Sequence, residues 1–84
     1  MASYQIEFKR SAERDMRRIT PGLMSNILFK IDALAGNPFP PQSVKLSGAQ
    51  AVYRLRVGDY RVICEVDPTA RMVVAHHVRH RREA

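Results

Sequence analysis

Three short runs of alternating apolar and polar residues occupy the C-terminal part of the sequence, and two tight-turn signals separate them. The runs lie within AVYRLRVGDYRVICEVDPTARMVVAHHV, interrupted by Gly58-Asp59 and by residues 67–70. Alternation with a period of two is typical of a strand that buries one face, and short turns join strands that pair in antiparallel fashion. The pattern therefore predicts a three-stranded meander, so the rest of the chain must cover one of its faces.

One strand and two helices are predicted ahead of the meander. Apolar side chains at Tyr4, Ile6 and Phe8 alternate with polar ones, which indicates a half-buried strand. Ser11 and Thr20-Pro21 are typical of the positions where helices begin, and apolar residues recur at helical spacing after each of them. These recurring residues are Ala12, Met16 and Ile19 in the first helix and Leu23, Ile27, Ile31 and Leu34 in the second.

The element order β-α-α-β-β-β predicts an α+β domain, in which a two-helix hairpin packs on one face of a small antiparallel sheet. Residues 36–50 hold three of the five prolines and two of the four glycines, and we expect an ordered surface loop there. The pattern leaves open which edge of the sheet the first strand joins. With 84 residues, we expect a single domain over residues 1–84, with its function on the surface.

Charge favours a polyanionic partner. The chain has 14 Lys plus Arg against 8 Asp plus Glu, a formal net charge of +6. It has no apolar run long enough to cross a membrane and no signal-peptide core, so we expect a cytoplasmic protein without membrane contact. The single cysteine, Cys64, cannot form an internal disulfide, and its apolar neighbours predict a buried strand residue.

Arginines follow the strand pattern of the meander. Arg54 and Arg56 share one face of their strand, and Arg61 joins them if Val62 faces the helices. Like charges gathered across strands repel, so they have little structural value, whereas the planar guanidinium grips phosphate through two hydrogen bonds. The sequence therefore predicts a basic face. At the end of the last strand, it adds Arg79, His80, Arg81 and Arg82.

Other polar and aromatic residues of the meander give weaker indications. His76 and His77 are adjacent, so regular strand geometry predicts that they point to opposite faces. No Cys or carboxylate stands at ligand spacing beside them, and we expect neither a metal site nor another cofactor. Tyr53 and Tyr60 could stack on bases or pack in the core, and the pattern favours neither role.

Three stretches of the sequence are similar to those of one known family. They are YQIEFKRSAERDMRRI, NPFPPQSVKLSGAQAVYRLRVGDYRVICEVD and VVAHHVRHRRE, which together cover nearly the whole chain. Lys-Leu-x-Gly and Tyr-Arg-Leu-Arg-Val-Gly-Asp-Tyr-Arg-Val are fairly specific in combination. The chain resembles the RelE branch of the RelE/ParE superfamily, the toxins of type II toxin-antitoxin systems. The resemblance implies the same fold as the periodicity.

The resemblance also implies an activity, because RelE-like toxins are ribosome-dependent endoribonucleases that cut mRNA in the decoding site. They use no metal, and a ribose 2′-hydroxyl attacks the adjacent phosphate. By resemblance, Arg54 and Arg56 hold the scissile phosphate, Arg61 binds phosphate, and Arg81 belongs to the cleavage site. We expect further RNA contacts from Lys45, Arg79, His80 and Arg82. The implied partners are mRNA on the ribosome, a cognate antitoxin, and operator DNA bound by a toxin-antitoxin hetero-oligomer.

Two departures from the family pattern bear on cleavage. Some relatives have lysine where this chain has Arg54 and Arg56, and an arginine cannot serve as a general base. Relatives also usually continue to a tyrosine that takes or orients the 2′-hydroxyl proton, and this sequence, printed to Ala84, has no counterpart. Either His77 or His80 replaces it, or a ribosomal group assists, or cleavage is weak or absent.

Two other functions are compatible with the same fold. One is a ParE-like inhibitor of DNA gyrase, which binds its target without chemistry of its own. The other is a catalytically weak relative that mainly binds antitoxin and helps to regulate their operator. The missing terminal tyrosine favours the gyrase inhibitor, whereas the pattern of Arg54, Arg56, Arg61 and Arg81 disfavours it.

Overall fold

The computed structural model describes residues 3–46 and 51–82. In this part of the chain the predicted order of elements is confirmed, with one further short strand. The elements are β1 (Gln5–Phe8), α1 (Arg10–Met16), α2 (Pro21–Ala33), β2 (Ser43–Lys45), β3 (Val52–Val57), β4 (Tyr60–Asp67) and β5 (Met72–His80). Neither helix is long and apolar enough to span a membrane.

The five described strands form one mixed sheet in the order β1-β5-β4-β3-β2. The predicted meander is confirmed, because β3 pairs with β4 and β4 with β5 in antiparallel fashion. The prediction of a wholly antiparallel sheet is wrong, because β1 pairs with β5 in parallel. The chain between β1 and β5 contains both helices and three strands, so no tight hairpin forces these two strands to be antiparallel.

The prediction of a loop over residues 36–50 is only partly correct. Residues 43–45 form β2, which pairs with β3 in antiparallel fashion and occupies an edge of the sheet. Three residues are too few to show a period of two, so only the pairing with β3 identifies them as a strand. The predicted loop residues 47–50, which include part of the Lys-Leu-x-Gly stretch, lie outside the described residues.

Helix α1 lies along the half of β5 that β1 does not reach. It begins at Arg10 with Lys9 at the N-cap, two residues earlier than the predicted N-cap, Ser11. The Ser11 hydroxyl donates instead to the carbonyl of His76 at 2.6 Å. Farther along the helix, the Asp15 carboxylate accepts a hydrogen bond from the Val78 amide at 3.0 Å. These two bonds attach α1 to β5 beyond the end of the β1 pairing.

Helix α2 begins at Pro21, as predicted, and covers one face of the sheet. Its residues Ile27 and Ile31 are buried, together with Leu34 just after it, whereas Leu23 is 49% exposed. They form one core with alternate residues of the strands, since successive strand side chains point to opposite faces. The buried strand residues are Leu55, Val57, Val62, Cys64, Val66, Val73, Ala75 and Val78. We call the opposite side of the sheet the open face.

Candidate nucleic-acid interface

Three arginines form a row across the open face. Arg56 is directly opposite Arg61 in the β3–β4 pair, and Arg61 is directly opposite Arg79 in the β4–β5 pair. Directly opposed residues point to the same face, with Cβ atoms about 5 Å apart. Arg54 lies two residues from Arg56 on β3 and therefore shares this face. We call Arg54, Arg56, Arg61 and Arg79 the arginine cluster.

No carboxylate in the described part of the chain pairs with the arginine cluster. Of the three salt bridges among residues 3–46 and 51–82, none includes one of its four guanidiniums. Cationic neighbours at this spacing repel one another by some tenths of a kcal/mol per pair. A bound anion would remove that repulsion, so the open face is suited to a ligand with closely spaced negative charges.

A shallow groove of about 270 Å³ lies within this face. Arg54, Arg61 and Arg79 line it, together with the apolar side chains of Leu46 and Ile63. A surface with both guanidinium and apolar groups can hold a phosphate and an adjoining sugar or base. Strand alternation groups Ile63 with Arg61, but no role in the site was predicted for Ile63 or Leu46, because an apolar side chain by itself does not indicate a nucleotide contact.

A β-bulge in β5 places both neighbouring histidines on the open face. Ile63 is opposite His77, but the next residue, Cys64, is opposite Ala75, so His76 is the extra residue. The His76 ring lies 3.2 Å from the carboxylate of Glu65, which shares the open face with Ile63. The prediction that the two histidines point to opposite faces is therefore wrong, because it assumed an unbroken strand.

His77 lines the groove and contacts both a carboxylate and a guanidinium. Its Nδ1 atom lies 3.3 Å from an Asp15 carboxylate oxygen and 3.3 Å from the Arg79 guanidinium. That carboxylate oxygen also accepts the Val78 amide, which holds it in position. The role of Asp15 was not predicted, since 62 residues separate it from His77. Among the described residues, no group of three or more His, Cys, Asp or Glu could hold a metal ion.

The other predicted arginines lie at the end of β5, beside the β3–β4 turn. The Arg81 amide donates to the carbonyl of Asp59 at 2.8 Å, and its side-chain Nε lies 3.9 Å from the Asp59 carboxylate. The Arg82 amide donates to Nδ1 of His80 at 3.2 Å. Arg81 therefore lies at the same end of the sheet as Arg61, which follows Asp59 by two residues, but it does not line the groove.

Lys45 and the two tyrosines lie on the other side of the sheet. Lys45 is opposite Tyr53, which shares the helix-covered face with Leu55. The Tyr53 ring packs against Phe39 with centroids 5.1 Å apart, and Tyr60 packs against His80 at 5.3 Å. Lys45 therefore does not join the arginine cluster, and both tyrosines have packing partners within the protein.

Cys64 is buried in the core, as predicted. It is 2% exposed, and burial raises the pKa of its thiol to about 11. A neutral, enclosed thiol is a poor nucleophile, so covalent chemistry at Cys64 is excluded from the site.

Helices on one side of a small sheet, with a cationic groove on the other, define a class of small α+β proteins suited to a polyanion. Residues 6–84 match the family model described as ParE toxin of type II toxin-antitoxin system, parDE. The chain therefore belongs to this family of type II toxin-antitoxin toxins. The match confirms membership of the RelE/ParE superfamily, as the sequence resemblance indicated.

Individual relatives are distant but match along most of the chain. A protein of Methanocaldococcus jannaschii named "Putative toxin RelE1" is 25% identical over 84 residues, which cover 96% of this chain and 93% of the relative. A RelE-RelB complex from Pyrococcus horikoshii OT3 is similar with a TM-score of 0.82 and 22% identity, covering 98% of this chain and 99% of that chain. The structure of the isolated Escherichia coli RelE toxin is similar with a TM-score of 0.79 and 19% identity, covering 93% of this chain and 84% of that chain. These structures confirm the α+β fold.

Proposed function

We propose that this toxin is a metal-independent endoribonuclease that cleaves mRNA in the decoding site of the ribosome, in the cytoplasm. The observation that carries the proposal is the arginine cluster, whose four guanidiniums share one face and pair with no carboxylate of residues 3–46 and 51–82. RNA supplies a regularly spaced row of phosphates that matches such a surface. The apolar part of the groove, Leu46 and Ile63, supports the bound nucleotide beside its phosphate.

The chemistry assigned to the cluster is charge stabilisation. When a ribose 2′-hydroxyl attacks the adjacent phosphorus, negative charge on the phosphate oxygens increases. Fixed guanidiniums of Arg54, Arg56 and Arg61 stabilise that charge more in the transition state than in the ground state. Because arginine stays protonated, these residues take no proton from the hydroxyl. Arg81 and Arg82 extend the cationic surface at the end of β5 toward the adjoining nucleotides, whereas His80 is directly opposite Tyr60 and lies on the helix-covered side of the sheet.

A cognate antitoxin is the second part of the proposal. Solved structures similar to this chain include RelE-RelB complexes from Pyrococcus horikoshii OT3 and RelBE2 from Mycobacterium tuberculosis. The open face here would accept an acidic segment, and Phe29 on α2, which is 69% exposed, offers an apolar anchor. We also propose that the resulting hetero-oligomer binds operator DNA.

A purified translation system tests the nuclease activity directly. The wild-type chain is added to ribosomes programmed with a defined message, and breaks are mapped by primer extension. We expect cleavage only when ribosomes are present, and a loss of about 100-fold or more for Arg61→Ala and Arg81→Ala, by analogy with removal of one transition-state donor. Arg71→Asn is the matched control, because Arg71 lies in the β4–β5 turn at the far end of the sheet. Intact message at stoichiometric toxin would refute the proposal.

Gyrase inhibition is the second candidate function, and the family model favours it because its description is that of a ParE toxin. A supercoiling assay with purified DNA gyrase separates the two candidates. Inhibition of supercoiling together with intact message would establish the gyrase candidate. Message cleavage with normal supercoiling would exclude it. A chain that does neither but still binds an antitoxin would be a catalytically weak relative.

A further inference from the structure

His77 holds one ring nitrogen between a hydrogen-bond acceptor and a donor. Nδ1 lies 3.3 Å from the Asp15 carboxylate, which can only accept, and 3.3 Å from the Arg79 guanidinium, which can only donate. A ring nitrogen carries at most one hydrogen, so Nδ1 can bond only one of these groups at a time. The choice decides which nitrogen of the neutral ring is free to accept a proton.

The structure favours the bond to Asp15. Its carboxylate oxygen is held by the Val78 amide at 3.0 Å, and the Asp15 side chain is only 19% exposed. Arg79, by contrast, is exposed and belongs to the arginine cluster, where an RNA phosphate is the stronger acceptor. With its hydrogen on Nδ1, the neutral imidazole has an unprotonated Nε2. Among residues 3–46 and 51–82, no protein group forms a hydrogen bond with Nε2 of His77.

His77 also lies where the reaction would occur. Its side chain is 35% exposed, and it lines the groove beside Arg54 and Arg61. The phosphate bound by those arginines would therefore lie next to the ring. An aspartate that fixes the tautomer of a histidine, with the second ring nitrogen facing a substrate hydroxyl, is the arrangement that proton abstraction requires.

We propose that His77 is the general base of RNA cleavage and that Asp15 is the residue that positions it. This inference rests on the proposed nuclease function. Nε2 of His77 takes the proton of the ribose 2′-hydroxyl as the 2′ oxygen forms its bond to phosphorus. The bond from phosphorus to the 5′ oxygen breaks, and that oxygen takes a proton from water. The products are a 2′,3′-cyclic phosphate and a 5′-hydroxyl end, and His77 then releases its proton to solvent.

His80 is less suited to this role. Its Nδ1 accepts the Arg82 amide, so the neutral ring carries its hydrogen on Nε2, which then donates rather than accepts. The His80 ring packs edge-on against Tyr60 and does not line the groove. Of these two histidines, only His77 lines the groove with an unprotonated ring nitrogen available to accept a proton.

The chain offers a matched control at the neighbouring position. His76 also contacts a carboxylate, Glu65, at 3.2 Å, and its side chain is 32% exposed, but it does not line the groove. Glutamine in place of either histidine keeps a polar side chain and removes the titrating group. Asp15→Asn keeps an oxygen for the Val78 amide but loses the charge, and Glu65→Gln is its control.

The test is single-turnover cleavage of ribosome-bound message by the full chain, followed across pH. The charged groups around His77 are Asp15 on α1, Arg79 on β5, Arg61 on β4 and Arg54 on β3. The wild-type rate should rise with pH as the base loses its proton. His77→Gln should lower the rate at least about 100-fold and abolish that rise. Asp15→Asn should lower the maximal single-turnover rate and leave the half-saturating toxin concentration unchanged. His76→Gln and Glu65→Gln should cleave like the wild type.

The outcomes separate the two proposals. If the wild type cleaves and His77→Gln matches His76→Gln in rate and pH profile, His77 is not the base, and the nuclease function stands. If the wild type leaves the message intact, the nuclease function fails, and the assignment of His77 falls with it. Thermal unfolding of each variant identifies a loss of fold. A His77→Asn variant that stays folded and is as inactive as His77→Gln supports a chemical role for the imidazole.

Discussion

Replacing Arg61 with alanine should weaken the salt dependence of RNA binding by a calculable amount. Arg61 is the central member of the row, directly opposite both Arg56 and Arg79. Each phosphate that a cation neutralises on single-stranded nucleic acid contributes about −0.7 to the slope of log K against log salt concentration. If each member of the four-residue arginine cluster binds one phosphate, the wild-type slope is about −2.8, and that of Arg61→Ala is about −2.1.

These slopes predict clearly different affinities. Between 50 and 200 mM salt, the wild type should lose about 50-fold in affinity, and the variant about 18-fold. Folding should not suffer, because removing Arg61 also removes two repulsive contacts of some tenths of a kcal/mol each. The midpoint of urea unfolding should therefore stay the same or rise slightly.

The assay is fluorescence polarisation of a labelled, unstructured oligouridylate, titrated at several salt concentrations. Arg71→Asn serves as the control, since Arg71 lies about 25 Å along β5 from Arg79, well beyond the Debye length at these salt concentrations. Its backbone φ of 54° also suits asparagine. Equal slopes for the wild type and Arg61→Ala, or an equal reduction in Arg71→Asn, would refute the idea that the open face is the binding surface.

Two further predictions concern the core. Ile31 is fully buried, so Ile31→Ala should lower the free energy of unfolding by about 2–5 kcal/mol in urea titrations, and a loss under about 1 kcal/mol would contradict the packing described. Burial raises the thiol pKa of Cys64 from 9.0 to about 11, which means that the folded state favours the neutral thiol. This contribution to stability is present below pH 9 and is lost as the pH rises through about 11. Wild type should therefore lose about 2 kcal/mol more than Cys64→Ala over that range, and parallel curves would argue against it.

The distribution of the arginines over the two faces of the sheet was largely predictable. Alternation along a strand is a local property, so Arg54 and Arg56 had to share a face. Arg61 joined them once Val62 was known to be buried. The row itself required more, because only the register of β3, β4 and β5 makes Arg56, Arg61 and Arg79 direct neighbours. Register depends on turn geometry and on the bulge, which composition does not reveal.

Lys45 and the histidines show where local patterns were insufficient. Lys45 was counted with the basic residues that bind RNA, but β2 was not predicted, and its pairing puts Lys45 opposite Tyr53 on the helix-covered face. One extra residue at His76 shifts the alternation of β5, so buried positions follow the spacing Val73, Ala75, Val78. The apolar pattern of β5 alone does not identify the bulge, because a single shift in alternation can also mark the end of a strand.

Sequence alone determined the meander, the two helices and the positive charge of this toxin, because strand alternation, helical spacing and turn residues act over a few neighbours. Tertiary structure alone decided the parallel pairing of β1, the edge strand β2 and the approach of Asp15 to His77. Those contacts join residues far apart in the chain, and their geometry follows from how the elements pack together. The cationic face therefore follows from local sequence, whereas the groove and the position of His77 within it depend on the tertiary structure.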